Sequence, residues 1–168
     1  MKIIYFGNNP RGYRCLETIL DSGFQVSALV VHHKTQVSSS YSLCGLARQL
    51  KIPVFDPLNV NDPEFIETLK IIKPDLFVLS GYNPILKKEI LAIPSKGSIN
   101  LHGGRLPQYR GGSPINWQII NGEKQGACSI LFVDEGIDTG DLLIEEFYEI
   151  GPDETAGEII LKTLEIFP

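Results

Sequence analysis

One tryptophan, one methionine and three cysteines stand among 168 residues. Cys15, Cys44 and Cys128 are odd in number, scattered and outside any CxxC spacing. That excludes a disulfide framework and suits structural thiols of a reducing cytoplasm. No run approaches the ~20 apolar residues of a membrane span, and MKIIYFG is too short an apolar start for a signal peptide. Positive charge is also scarce. Fifteen basic against twenty acidic residues give a formal charge of −5, which counts against nucleic acid as the main partner. There is no GxGxxG, and no acidic residue ends VSALVVHHK to hold a ribose, so NAD binding is disfavoured. Repeats, low-complexity tracts and linkers are missing too, and residues 1–168 read as one domain able to bury its own core.

What is present is an alternation of short apolar runs with helical patterns. KIIYFG (2–7), QVSALVVH (25–32), PVFD (53–56), DLFVLSG (75–81), 97–102, CSILFVDE (128–135) and 141–150 read as strands. Helices are expected over 11–22, 42–51, 63–72 (capped by Asn61 or Asp62), 85–92, 113–121 and from about Thr155. HKTQVSSSY (33–41) reads as a polar loop. The order implies an α/β, Rossmann-like, mostly parallel sheet with helices on both faces. The last helix reaches Pro168 without a glycine stop signal, which suits a fragment or an end packed on something further.

In such a sheet, ligands collect at the carboxyl ends of the strands. Four of those ends are polar or glycine-rich: GNNPRG (7–12), SGYNP (80–84), NLHGG (100–104) and VDEGIDTGD (133–141). Asn100 and His102 are two apart and share a strand face. With Asp138 they form an amide, an imidazole and a carboxylate that can donate a hydrogen bond, move a proton and orient the ring. No serine or cysteine nucleophile stands at a recognisable elbow, so transfer to an external nucleophile fits better than a covalent enzyme intermediate. GNNPRG offers backbone N–H groups and Arg11 to an acceptor phosphate, with Asn8, Asn9 and Gly12 beside it; an ordinary strand–helix turn is an equal alternative. Arg105 and Arg110 are nearer the catalytic loop and can serve the acceptor, or Arg110 can brace that loop.

Asn100-x-His102, Leu106-Pro107, Tyr109-Arg110-Gly111 and Asp134-x-Gly136-x-Asp138-Thr139-Gly140 occur in that order. The set resembles the 10-formyltetrahydrofolate-dependent formyltransferases. The resemblance runs from about residue 75 to the end, with weaker agreement before it. It implies a formyltransferase catalytic domain and formyl transfer from N10-formyltetrahydrofolate to a primary amine. It implies Asn100, His102 and Asp138 as the catalytic set. The pteridine is implied against Gly81, Tyr82, Asn83, Ile85 and Leu86 and against Asp134, Glu135, Gly136 and Ile137. Gly104-Arg105 departs from the Ser-Leu of many members. In that chemistry Asn100 donates to the oxyanion, while His102 takes the amine proton or stabilises the oxyanion and Asp138 fixes its tautomer.

The favoured acceptor is a small-molecule amine, an amino sugar carried on a nucleotide. Alternatives are methionyl-tRNA, glycinamide ribonucleotide, hydrolysis of the formyl donor, and a non-catalytic folate or nucleotide-binding module. A cytoplasmic protein without a membrane partner is expected; tRNA and a homodimer stay open. No metal is expected: His32 and His33 point to opposite faces, and Asp134, Glu135 and Asp141 read as a solvated loop. Trp117 is expected to pack rather than stack on a substrate.

Overall fold

The computed structural model describes residues 1–33 and 41–167, and the polar loop expected at 33–41 falls, apart from its two ends, outside them. The elements are β1 (Lys2–Gly7), α1 (Asn9–Asp21), β2 (Gln25–Val30), α2 (Leu43–Gln49), β3 (Val54–Phe55), α3 (Pro63–Ile72), β4 (Leu76–Ser80), α4 (Lys88–Leu91), β5 (Ser98–His102), α5 (Pro114–Ile120), β6 (Gln125–Phe132), β7 (Leu142–Glu149) and α6 (Ala156–Ile166). They form one sheet in the order β3-β2-β1-β4-β5-β6-β7. Neighbouring strands from β3 to β5 are parallel, and β6 and β7 are antiparallel additions.

Alternation along the strands builds two cores. Ile3, Tyr5, Leu29 and Val78 pack with Leu16 of α1, Ala47 of α2, Ile115 of α5 and Ile159 of α6. Ile4, Phe6, Val30, Phe77 and Leu79 pack with Ile66 and Leu69 of α3 and Ile90 of α4. Each fully buried large side chain of this kind is worth roughly 1.5–3 kcal/mol. Local signals place the helix starts. Asp62, the second of the two expected caps, accepts from Glu64 N at 2.9 Å with Pro63 behind it. Thr155 and Glu158 form a reciprocal capping box.

The antiparallel β6 changes the reason the site forms. Phe132 pairs with Ile99, and Val133 N–H reaches Ser98 O at 2.8 Å. The 133–141 loop therefore leaves β6 beside the amino end of β5, not at a shared carboxyl edge. It must turn back along β5 to bring Asp138 to Asn100 and His102. β6 also begins at Gln125 and ends at Phe132, earlier at both ends than the expected 128–135.

Candidate active site

Asp138 is the hub of the site. Its Oδ1 accepts from Asn100 Nδ2 at 3.0 Å, and its Oδ2 accepts from Gly111 N at 2.9 Å. His102 Nδ1 stands 3.3 Å from the same Oδ2. The residue is held at φ +49, a left-handed conformation that aspartate tolerates better than most side chains. Arg110 braces it there, Nε donating to Asp138 O at 2.8 Å.

His102 is 6% exposed, and its Nε2 lies 2.6 Å from the carbonyl oxygen of Tyr109. A carbonyl and a carboxylate only accept. Both ring nitrogens thus face acceptors of the protein itself. The supporting layer is buried as well. Ser129 Oγ donates to Gly104 O at 2.8 Å, and Gln118 Nε2 donates to Gly103 O at 3.3 Å. Tyr109 is anchored at its far end, its hydroxyl donating to Glu123 Oε1 at 2.6 Å.

Gly104 explains the departure from Ser-Leu. A Cβ there would stand 2.5 Å from Pro114 Cβ and 3.0 Å from both His102 Nε2 and Tyr109 O. The space a side chain needs is already filled by the ring–carbonyl contact.

These groups open onto a cavity of about 370 Å³. Asn100, His102, Asp138, Gly81, Tyr82, Asn83, Ile85, Leu86, Asp134, Gly136, Ile137 and Arg11 all line it. Glu135 does not, and its carboxylate lies 4.0 Å from Lys88 Nζ. Asn8, Asn9, Gly12, Arg105 and Arg110 are also outside the lining. Arg105 lies over the Phe147 ring instead, 5.7 Å from its centre. Leu79, Leu131, Phe132 and Val133 complete an apolar wall. Sequence reasoning missed that wall and the Tyr109 carbonyl, because a core strand residue and a cavity wall carry the same apolar signature.

Of the N–H groups expected to cradle a phosphate at 8–12, those of Asn8, Arg11 and Gly12 are taken within the protein. Asn9 Oδ1 accepts from Arg11 N at 3.0 Å and from Gly12 N at 3.2 Å. Asn8 N–H goes to Ser80 O at 3.2 Å, and Pro10 has none to give. Only the Arg11 side chain reaches the cavity from this loop. Its Nη1 is buried without a hydrogen-bond partner, and its guanidinium lies 5.4 Å from the centre of the Phe167 ring. Burial pushes this guanidinium below its ordinary value. Trp117, expected to pack, is 54% exposed and outside the cavity. Among the described residues no group of three or more His, Cys, Asp or Glu is placed to hold a metal ion. No helix among them is long and apolar enough to cross a membrane.

The sequence profile of the formyl transferase family matches residues 1–166. The chain belongs to that family. Methionyl-tRNA formyltransferase of Alkaliphilus oremlandii is 40% identical over 164 residues, 95% of this chain and 53% of the relative. The chain thus spans about half the length of the curated relatives it matches. Among solved structures, phosphoribosylglycinamide formyltransferase from Bacillus halodurans superposes with a TM-score of 0.85 at 21% identity, over 99% of this chain and 89% of that one. The sugar 3N-formyl transferase WlaRD, solved with dTDP and 5-N-formyl-THF, gives 0.78 at 24% identity, over 99% of this chain and 60% of that one. At those identities the structural matches establish the formyl transferase fold alone.

Proposed function

We propose that residues 1–168 form a catalytic domain that transfers a formyl group from a formylated tetrahydrofolate to a primary amine in the cytoplasm. The observation that carries this reading is the Asn100–Asp138–His102 unit on the wall of a cavity of about 370 Å³. Attack of the amine on the formyl carbon builds negative charge on the formyl oxygen. Asn100 spends one Nδ2 hydrogen on Asp138 and has a second for that oxygen. His102, with Nε2 on Tyr109 O and Nδ1 facing Asp138, orients the Asp138 carboxylate and the 109–111 turn beside that oxygen rather than acting as a base. As the bond from carbon to the folate nitrogen breaks, the amine's proton leaves and the folate nitrogen gains one. Asp138 is the acceptor at hand for that transfer. The apolar wall and the 81–86 loop suit a pteridine, and Ile85, 61% exposed, is free to cover it.

For the acceptor, the relatives favour the α-amine of methionyl-tRNA, at 40% identity against the fold-level likeness of the sugar enzyme. The occupied N–H groups at 8–12 count against seating a nucleotide's phosphates there. The deciding assay offers the protein formyltetrahydrofolate with methionyl-tRNA, an amino-sugar nucleotide or glycinamide ribonucleotide, and identifies the product by mass. Formylmethionyl-tRNA is the expected product. A formylated sugar alone would overturn the acceptor, and release of formate with no formylated amine would overturn the transferase reading.

A further inference from the structure

His32 follows β2 and has no part in the chemistry above. Its ring sits among three loops at the carboxyl edge of the sheet. Nε2 is 3.0 Å from Asn83 N, Nδ1 is 3.0 Å from Asn8 Nδ2, and the ring centre is 4.9 Å from that of Tyr82. A backbone N–H only donates, so Nε2 must present a lone pair to Asn83. The neutral ring then carries its proton on Nδ1. Asn8 accepts that proton once its amide is turned over, so that Oδ1 takes the place of the Nδ2 now facing the ring; amide O and N are told apart by such partners.

Each of the loops so joined leads to a side chain that lines the cavity. Tyr82 and Asn83 line it from the 81–86 side. Asn8 stands at the N-cap position of α1, whose Arg11 lines it from the other. We infer that His32 is a positioning residue that fixes the 81–86 loop in its donor-binding shape and ties it to the start of α1, acting only as the neutral Nδ1–H tautomer. The inference rests on the reading of this cavity as a formyl-donor site.

A proton on Nε2 replaces the lone pair with a second donor aimed at the Asn83 N–H, and the clip opens. Burial pushes His32 below its ordinary 6.5, so the clip is closed at neutral pH. Of the described groups that face the ring, Asn8 and Asn83 are amides and burial pushes the Tyr82 phenol up to about 12. His33, the next residue, turns to Asp56, its Nδ1 3.1 Å from Asp56 O and 3.9 Å from Oδ2.

The test compares the unmodified protein with His32→Gln and His32→Ala, using 5-formyltetrahydrofolate as the probe and calorimetry from about pH 5.5 to about pH 8. In the unmodified protein the dissociation constant should rise as pH falls below the ordinary 6.5 of histidine. His32→Ala should weaken the probe about three- to tenfold at neutral pH, the worth of one hydrogen bond, and should lose the acid limb. Glutamine keeps an acceptor and a donor on an uncharged group, so His32→Gln should hold the neutral-pH affinity and also lose the acid limb. An acid limb that survives in both variants would overturn the inference. Nitrogen-15 NMR of the unliganded protein checks the clip apart from the donor reading: an Nδ1–H tautomer supports it and an Nε2–H tautomer refutes it. If the probe fails to bind at all while the Nδ1–H tautomer is found, the donor reading falls. The clip is then judged by whether the Asn83 amide shifts with the His32 titration; an unmoved amide would refute it.

Discussion

Tyr109 O stands 2.6 Å from Nε2 of His102, and Gly104 is the residue that lets them meet. A serine at 104 would force Pro114, the ring or the carbonyl aside, since none of these is the free end of a flexible chain. Gly104→Ser should therefore lower kcat by at least about tenfold while costing about 1–3 kcal/mol of stability from overpacking. Turnover measured beside urea unfolding checks it. Unchanged kcat would show that the contact does not matter to the chemistry.

The Asp138 carboxylate accepts from Asn100 and Gly111, and His102 Nδ1 stands 3.3 Å from its Oδ2. An asparagine there would turn an N–H toward one of them. Asp138→Asn, Asn100→Ala and His102→Ala should each reduce kcat by about 10²–10⁴. The pair Asn100→Ala with Asp138→Asn should be little worse than either alone, because groups acting as a unit are non-additive. Single-turnover rates at saturating substrates would show this. Multiplying losses would mean independent roles.

Arg11 makes the opposite trade. Its Nη1 is buried without a partner beside Cys128, Tyr148 and Phe167. Arg11→Met should leave thermal stability unchanged or raised, since it removes an unpaired buried donor. It should raise the acceptor's KM and leave the donor's within about twofold, as for uniform binding energy. A lowered melting temperature with both KM values unchanged would make Arg11 purely structural.

The thiols separate by burial. Cys15 and Cys128 are buried, and burial raises both, Cys128 from 9.0 to about 12. Half-buried Cys44 should take iodoacetamide first, the other two only on unfolding. The same shifts set alkaline stability. An unfolded thiol releases its proton near 9.0 and an unfolded tyrosine near 10.0, while Cys128, Tyr82 and Tyr148 keep theirs to about 12 when folded. The native state then binds more protons than the unfolded one, so stability falls as pH rises through that window. Urea midpoints at about pH 8 and about pH 10.5 should show the fall; a flat profile would contradict the burial.

The strand and helix order was legible in the sequence because apolar periodicity and caps such as Asp62 and Thr155 act within a few residues. Asn100 and His102 were legible for the same reason: two positions apart on one strand is a local fact, and the motif around them fixed Asp138 as their partner. What only the tertiary structure decided depends on groups far apart in the chain or lacking a side-chain signature. The direction of β6, and with it the route by which Asp138 returns along β5, follows from long-range pairing that no periodicity encodes. The backbone carbonyl of Tyr109, which takes up His102 Nε2, carries no letter in the sequence. The N–H groups of GNNPRG looked free until Asn9 folded its own oxygen over two of them and Ser80 took a third. His32, two residues past its strand, gained a role only because β4 lies beside β1 in the sheet and brings Asn83 to its ring.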